Sequence, residues 1–148
     1  MDMITFEIGI LIDRPVEDVF GFISNPMNLP KWQAMVATVE PASSGPVGVG
    51  SKFKVNTEVM GRKMEGVMEI TDFIPPEKFG FKNVAGPVQV RAVATFKPAG
   101  TGTRLNLNGQ GEPGGVFKLA EGVLAKQVKS QMEDNLKRLK SVLESGAN

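Results

Sequence analysis

The 148 residues of this chain contain no cysteine, no histidine and no tyrosine, and a single tryptophan. The first absence excludes disulfides and thiolate chemistry. The second removes the commonest general base near neutral pH, together with the usual donors of zinc and most transition-metal sites. Without tyrosine the commonest phenolic acid is missing as well. An excess of either charge is also lacking: 17 basic against 16 acidic residues leave a net charge of +1, with no basic run able to neutralise a phosphate backbone. A nucleic-acid partner is therefore not expected. No apolar stretch approaches the ~18 residues that a spanning helix needs, and the opening MDMITFEIGILID alternates instead of running apolar behind a basic flank. The expectation is a cytoplasmic protein without integral membrane association, folded as one domain over 1–148 that buries roughly two-thirds of its unfolded surface.

Two periods dominate what is present. Ile4, Phe6, Ile8, Ile10 and Ile12 recur every second residue, as on a half-buried strand. Pro15 then suits the first turn of a helix, Glu17 and Asp18 complement its dipole, and Val16, Val19, Phe20 and Ile23 follow at helical spacing until Asn25-Pro26 stops them. A second broken turn ends near Trp32. Period two returns over 34–40, 53–59, 64–70, 79–85, 88–97 and 104–107, with turns at Gly61-Arg62, Pro75-Pro76, Gly86-Pro87 and Gly100 to Gly102. This makes about seven strands, apolar on one face and polar on the other, as an antiparallel sheet with one wet face requires. After Gly115 the period becomes 3.6: Phe117, Ala120, Leu124, Val128, Met132, Leu136, Leu139 and Leu143 form one stripe. A helix over 115–144 would be ~45 Å long.

This order of elements resembles the helix-grip fold of the START-like (SRPBCC) superfamily, which includes the polyketide cyclase/dehydrase-like and birch-pollen-allergen-like proteins. RPVEDVFGFISNPMNLPKW from Arg14 to Trp32, GPVGVGSKF from Gly45 to Phe53 and QMEDNLKRLKSVLE from Gln131 to Glu144 are similar to segments of the bacterial polyketide cyclase-like family. The resemblance extends from about Ile4 to Leu143. It implies an α+β fold in which a curved seven-stranded antiparallel sheet wraps a long C-terminal helix, with two short helices after the first strand and an apolar cavity between sheet and helix. Members variously bind lipids and other hydrophobic molecules, cyclise polyketides or assist partner proteins, so the fold alone leaves the activity open.

Little in the sequence points to catalysis. GPVGVGSKF lacks the G-x-x-x-x-G-K-[ST] spacing of a phosphate-binding loop and opens a strand instead of a helix. Glu58, Glu65, Glu69 and Asp72 read as a solvated face, and no acidic loop offers a metal site. No cofactor, metal site or catalytic residue is indicated.

The apolar set carries the stronger signal. Trp32, Phe53, Val55, Val59, Met64, Met68, Phe79, Phe81, Val90, Ala92, Phe117, Leu124, Val128 and Met132 are the expected wall of the cavity, each of them otherwise an ordinary core residue. Small residues on the same face, Gly66, Ala92, Ala94 and Gly109, argue for space. Gln131 and Asn135 either bond a ligand or lie at the stripe's margin, bonded to water or sheet backbone. Trp32 stands at the mouth of the cavity or plugs the short helices onto the sheet. The expected function is binding or transport of a hydrophobic small molecule: a lipid, fatty acid or polycyclic compound. One alternative is a polyketide cyclase or dehydratase, with Glu121 as the candidate carboxylate. Another is a protein-interaction module without a ligand.

Overall fold

The computed structural model describes residues 4–59, 61–85, 89–112 and 121–145, and their side chains except those of 4, 59, 89, 112 and 121–128. Strand β1 (Ile4–Ile12) leads into helix α1 (Val16–Ile23), a 3-10 turn (Pro26–Asn28) and the single-turn helix α2 (Leu29–Trp32). Six strands follow: β2 (Val36–Pro41), β3 (Lys52–Val59), β4 (Arg62–Ile74), β5 (Lys78–Ala85), β6 (Gln89–Ala99) and β7 (Gly102–Glu112). Helix α3 (Glu121–Glu144) closes the chain. Its 24 described residues correspond to a rod of ~36 Å. The longer helix expected from 115 begins, over 115–120, outside the described residues.

All seven strands form one antiparallel, curved sheet in the order β1-β7-β6-β5-β4-β3-β2. Strands β2 to β7 are a simple meander, and β1 is added beside β7, so the α1-to-α2 segment carries the chain from one edge of the sheet to the other. Pro15 is the N-cap of α1, with φ −59° and ψ 151°, one position earlier than a helical residue; Glu17 and Asp18 occupy the first turn. At the far end Asn25 accepts a hydrogen bond from the Met27 N–H at 3.1 Å, and Pro26 begins the 3-10 turn, which needs no N–H there.

The outer face of the sheet is charged. Lys52, Glu69, Lys82 and Arg91 lie opposite one another across four strands, and Lys54 pairs with Glu65 at 3.3 Å. Glu58 and Glu65 are exposed, whereas Glu69 and Asp72 are half-buried.

The C-terminal end of α3 is fastened to the β1–α1 turn. The Arg14 guanidinium donates to the Leu143 carbonyl at 2.7 Å and to Asp18 at 2.9 Å, placing positive charge at the negative end of the helix dipole. Thr103, fully buried, donates its hydroxyl to the Arg14 carbonyl at 2.8 Å. Lys140 donates to the Leu11 carbonyl at 2.8 Å and to the Glu144 carboxylate, which also accepts the Asp13 N–H at 2.7 Å. The Lys140 hydrogen bond, and after it the Asp13 N–H, hold the Glu144 carboxyl below the usual carboxylate range.

A folded-state value below the unfolded one adds stability that is complete above the ordinary carboxylate range and lost as pH falls through the lowered value. Glu144→Gln is therefore expected to be less stable than the native chain at neutral pH, with the two converging as the solution is acidified. Urea denaturation at stepped pH reads this; a gap independent of pH would count against the link.

Candidate functional site

Strand register divides the inner face of the sheet into rows that differ in how fully they are buried. At one end lie Thr103 and Ile12, then Phe96, Leu105 and Ile10, then Phe73, Phe79, Ala94, Leu107 and Ile8. Most of these are buried, and α1 lies across β5, β6 and β7 to cover them. Phe20 of α1 meets Phe96 and Phe73 edge-on, with centroids 5.2 and 5.6 Å apart, and Phe73 meets Phe79 at 6.3 Å. The second half of α3 seals the same end with Leu136, Leu139 and Leu143.

Towards the β3–β4 turn the packing loosens. Phe81, Asn83, Val90 and Gly111, then Val55 and Gly66, then Thr57 and Met64 are half-buried, although Ile70 and Ala92 beside Phe81, and Met68 and Phe53 in the row of Asn83, are buried. Gln131 and Met132 of α3 are likewise half-buried, one turn before the fully packed Leu136. A half-exposed apolar inner face, continuous with a close-packed core, is a wall onto which an apolar molecule can be laid.

The residues expected to line a cavity fall on both sides of this division. Val55, Met64, Phe81, Val90, Gln131 and Met132 belong to the half-buried wall. Trp32, Phe53, Met68, Phe79 and Ala92 are buried in the core cluster. Phe117 and the side chains of Val59, Leu124, Val128 and Glu121 lie outside the described residues. The small inward residues are partly spoken for. A Cβ on Gly109 would come within 2.1 Å of the Phe6 ring, which fills that space, and Ala92 and Ala94 are buried. Gly66 remains half-buried.

Asn135 is 3% exposed, and its hydrogen-bond partners lie in the segment after α2 and on α3 itself. Its Nδ2 donates to Gln33 Oε1 at 2.8 Å, and its Oδ1 accepts from the Ala34 N–H at 3.2 Å and from Gln131 Nε2 at 3.3 Å. The side chain ties α3 to the segment just after α2. Sequence reasoning passed over Asn83 and Gln33. Asn83 shares the parity of Phe81 and sits opposite Met68, so alternation contained the signal; Gln33 follows α2 and has no periodic signature. Among the described residues the buried polar side chains are Ser24, Thr103 and Asn135, and no ionisable side chain is buried.

A seven-stranded antiparallel sheet gripping a C-terminal helix, its inner face packed at one end and half-exposed at the other, defines a helix-grip protein of the START type. The chain belongs to the polyketide cyclase/dehydrase and lipid transport family, whose model matches residues 3–144. Among solved structures, a START superfamily protein from Mycobacterium smegmatis is similar with a TM-score of 0.82 at 14% identity, covering 95% of this chain and 97% of that one. The di-domain ARO/CYC StfQ of the steffimycin biosynthetic pathway has a TM-score of 0.78 at 17% identity, covering 98% of this chain and 52% of that one. A Thermus thermophilus protein has a TM-score of 0.74 at 21% identity, covering 99% and 100%. At these identities the likeness is one of fold. No curated protein matches by sequence. Among the described residues, no helix is long and apolar enough to cross a membrane.

Proposed function

We propose that this protein binds and carries a hydrophobic small molecule, held between the half-buried inner wall of the sheet and α3. The observation that carries the reading is the difference in burial among inward residues of the same parity: Phe79 and Leu105 are buried, whereas Phe81, Val90, Val55 and Met64 on the same face are only partly buried. Such a wall gains free energy by covering apolar area, at roughly 25 cal/mol per Å². Membership in a family described by both cyclases and lipid transport supports the ligand class. A cyclase reading draws on the likeness to StfQ, but needs a proton-transfer group at the wall. The polar groups described there, Thr57, Asn83 and Gln131, are neutral hydroxyl and amide side chains, which favours carriage.

Titration with 1-anilinonaphthalene-8-sulfonate, followed by competition with oleate and with fluorene, is expected to give one saturable site. A ligand present at 100 times its dissociation constant raises stability by about 2.7 kcal/mol, which thermal melts detect. Val90→Trp, which fills half-exposed space on the wall, is expected to weaken binding about tenfold with little loss of stability. Absence of saturable binding by all three compounds would overturn the reading.

A further inference from the structure

The outward face of the adjacent strands β5, β6 and β7 holds five cations, Lys78, Lys82, Arg91, Lys97 and Arg104, and no carboxylate among its described side chains. The whole chain carries a net charge of +1, so the fold has sorted charges that the sequence interleaves. Register sets four of them in like-charged pairs. Lys82 lies directly opposite Arg91, and Lys97 directly opposite Arg104, an arrangement that costs stability in a sheet. Among the described residues the ion pairs are Arg14–Asp18, Lys54–Glu65 and Lys140–Glu144, so none of the five cations has a carboxylate partner. Arg91, Lys97 and Arg104 are exposed, and Lys78 and Lys82 half-buried. Between the two pairs lie Val93, Thr95, Asn106 and Asn108, all neutral. Carboxylates border this strip: Glu69 and Asp72 on β4, with Asp72 reaching over Gly80, Glu77 in the β4–β5 turn, and Glu7 on β1.

The strip has the outline of a single helix. Two strand spacings make it about 10 Å wide, and the rise from Arg91 to Lys97 makes it about 20 Å long. An α-helix is about 10–12 Å across with its side chains, and about 13 residues of it cover that length. A nucleic-acid duplex or an anionic bilayer extends past the strip and brings its phosphates onto Glu7, Glu69 and Asp72. At one end the row of Lys97 and Arg104 continues into Leu11, which is 53% exposed beside a shallow groove shared with Ala99 and Thr101. We propose that the outer face of β5, β6 and β7 docks an acidic α-helix of a partner protein, whose carboxylates meet the five cations while an apolar residue at its end lies against Leu11. The partner supplies the counter-charge that the chain itself does not place there. The surface is on the opposite side of the sheet from the wall described above, and the inference goes beyond the ligand-binding reading without depending on it.

The probe is a lactam-stapled synthetic helix of about 18 residues with glutamate at i, i+4, i+7, i+11 and i+14, and its control an isomer with the glutamates spread around the helix. By calorimetric titration at low salt, the one-faced helix is expected to bind the native chain about tenfold more tightly than the isomer, and to weaken as salt is raised. Its binding is expected to move amide resonances of β5, β6 and β7 and to leave those of Val55 and Met64 unchanged. Arg91→Glu/Lys97→Glu converts both like-charged pairs into opposite-charged ones. It is expected to be at least as stable as the native chain in urea and to bind the helix about thirtyfold more weakly, with Arg91→Gln/Lys97→Gln falling between. Lys52→Glu, on the same face but two strands from β5, is expected to bind within about twofold of native. Failure of the one-faced helix to bind, equal binding by the isomer, or native affinity in both double variants overturns the inference. So does tighter binding of a DNA duplex or of phosphatidylserine vesicles than of the helix, which would make the occupant a phosphate surface. Each of these results leaves the ligand-binding reading standing, because its titrations report on the other face of the sheet.

Discussion

Leu139→Ala is expected to destabilise the protein by about 3–5 kcal/mol, and Met132→Ala, seven residues earlier on the same helical stripe, by less than about 1.5 kcal/mol. The two side chains have the same periodicity and similar volume. They differ in what surrounds them: Leu139 is fully buried in the end sealed by α1 and the last turns of α3, while Met132 is half-buried beside the loosened wall. Truncating Leu139 leaves a cavity that a packed neighbourhood refills poorly, whereas at Met132 the contacts to be lost are fewer. Guanidinium denaturation reads both. Met132→Ala is further expected to alter ligand affinity, which Leu139→Ala, if folded, leaves near native. Equal costs at the two positions would mean that close packing continues through Met132, contrary to the binding reading.

Asn135→Leu is expected to cost about 3 kcal/mol even though leucine matches asparagine in shape. The substitution leaves the Ala34 N–H and the Gln33 side-chain Oε1 facing an apolar group at a nearly sealed position. Leaving a buried partner unsatisfied costs more than removing both partners, so the double variant Gln33→Leu/Asn135→Leu is expected to be more stable than the sum of its single variants predicts. A double-mutant cycle by urea denaturation measures that coupling. Simple additivity would mean that the amide pair does not hold α2 to α3. Detachment of α2 would also shift Trp32, so the single-tryptophan fluorescence of Asn135→Leu is expected to move towards that of an exposed indole.

Most of the architecture was legible in the chain because strand alternation and helix periodicity are local geometry. Ile4 to Ile12 show a period of two wherever they are placed, and Val16 to Ile23 a period of 3.6. Strand ends were less so. Alternation suggested β4 over 64–70, and the strand runs from Arg62 to Ile74, because backbone pairing with β3 begins at Arg62 and pairing with β5 continues past Ile70. The same strand contains a register shift between Ile70 and Asp72, with the result that Phe73 joins Phe79 and Phe20 in the core. Parity counted from Met68 and Ile70 would have turned Asp72 inward; an extra residue in the ladder resets it.

The site was legible only as a set of apolar residues on one face. Met68 and Met64 look alike in sequence, four residues apart on one strand, yet one is buried and the other half-exposed. Gln131 and Asn135 stood out as polar groups near an apolar stripe, but the partners of Asn135 outside its own helix lie 101 and 102 residues earlier in the chain. The sequence by itself determined the order of elements, the inward face of nearly every strand and the absence of cysteine and histidine chemistry, since each depends on neighbouring residues or on composition alone. Tertiary structure decided where the interior closes and where it stays accessible, and which polar groups are consumed in holding α2 to α3. Those outcomes depend on how distant elements meet, and no local period encodes that distance.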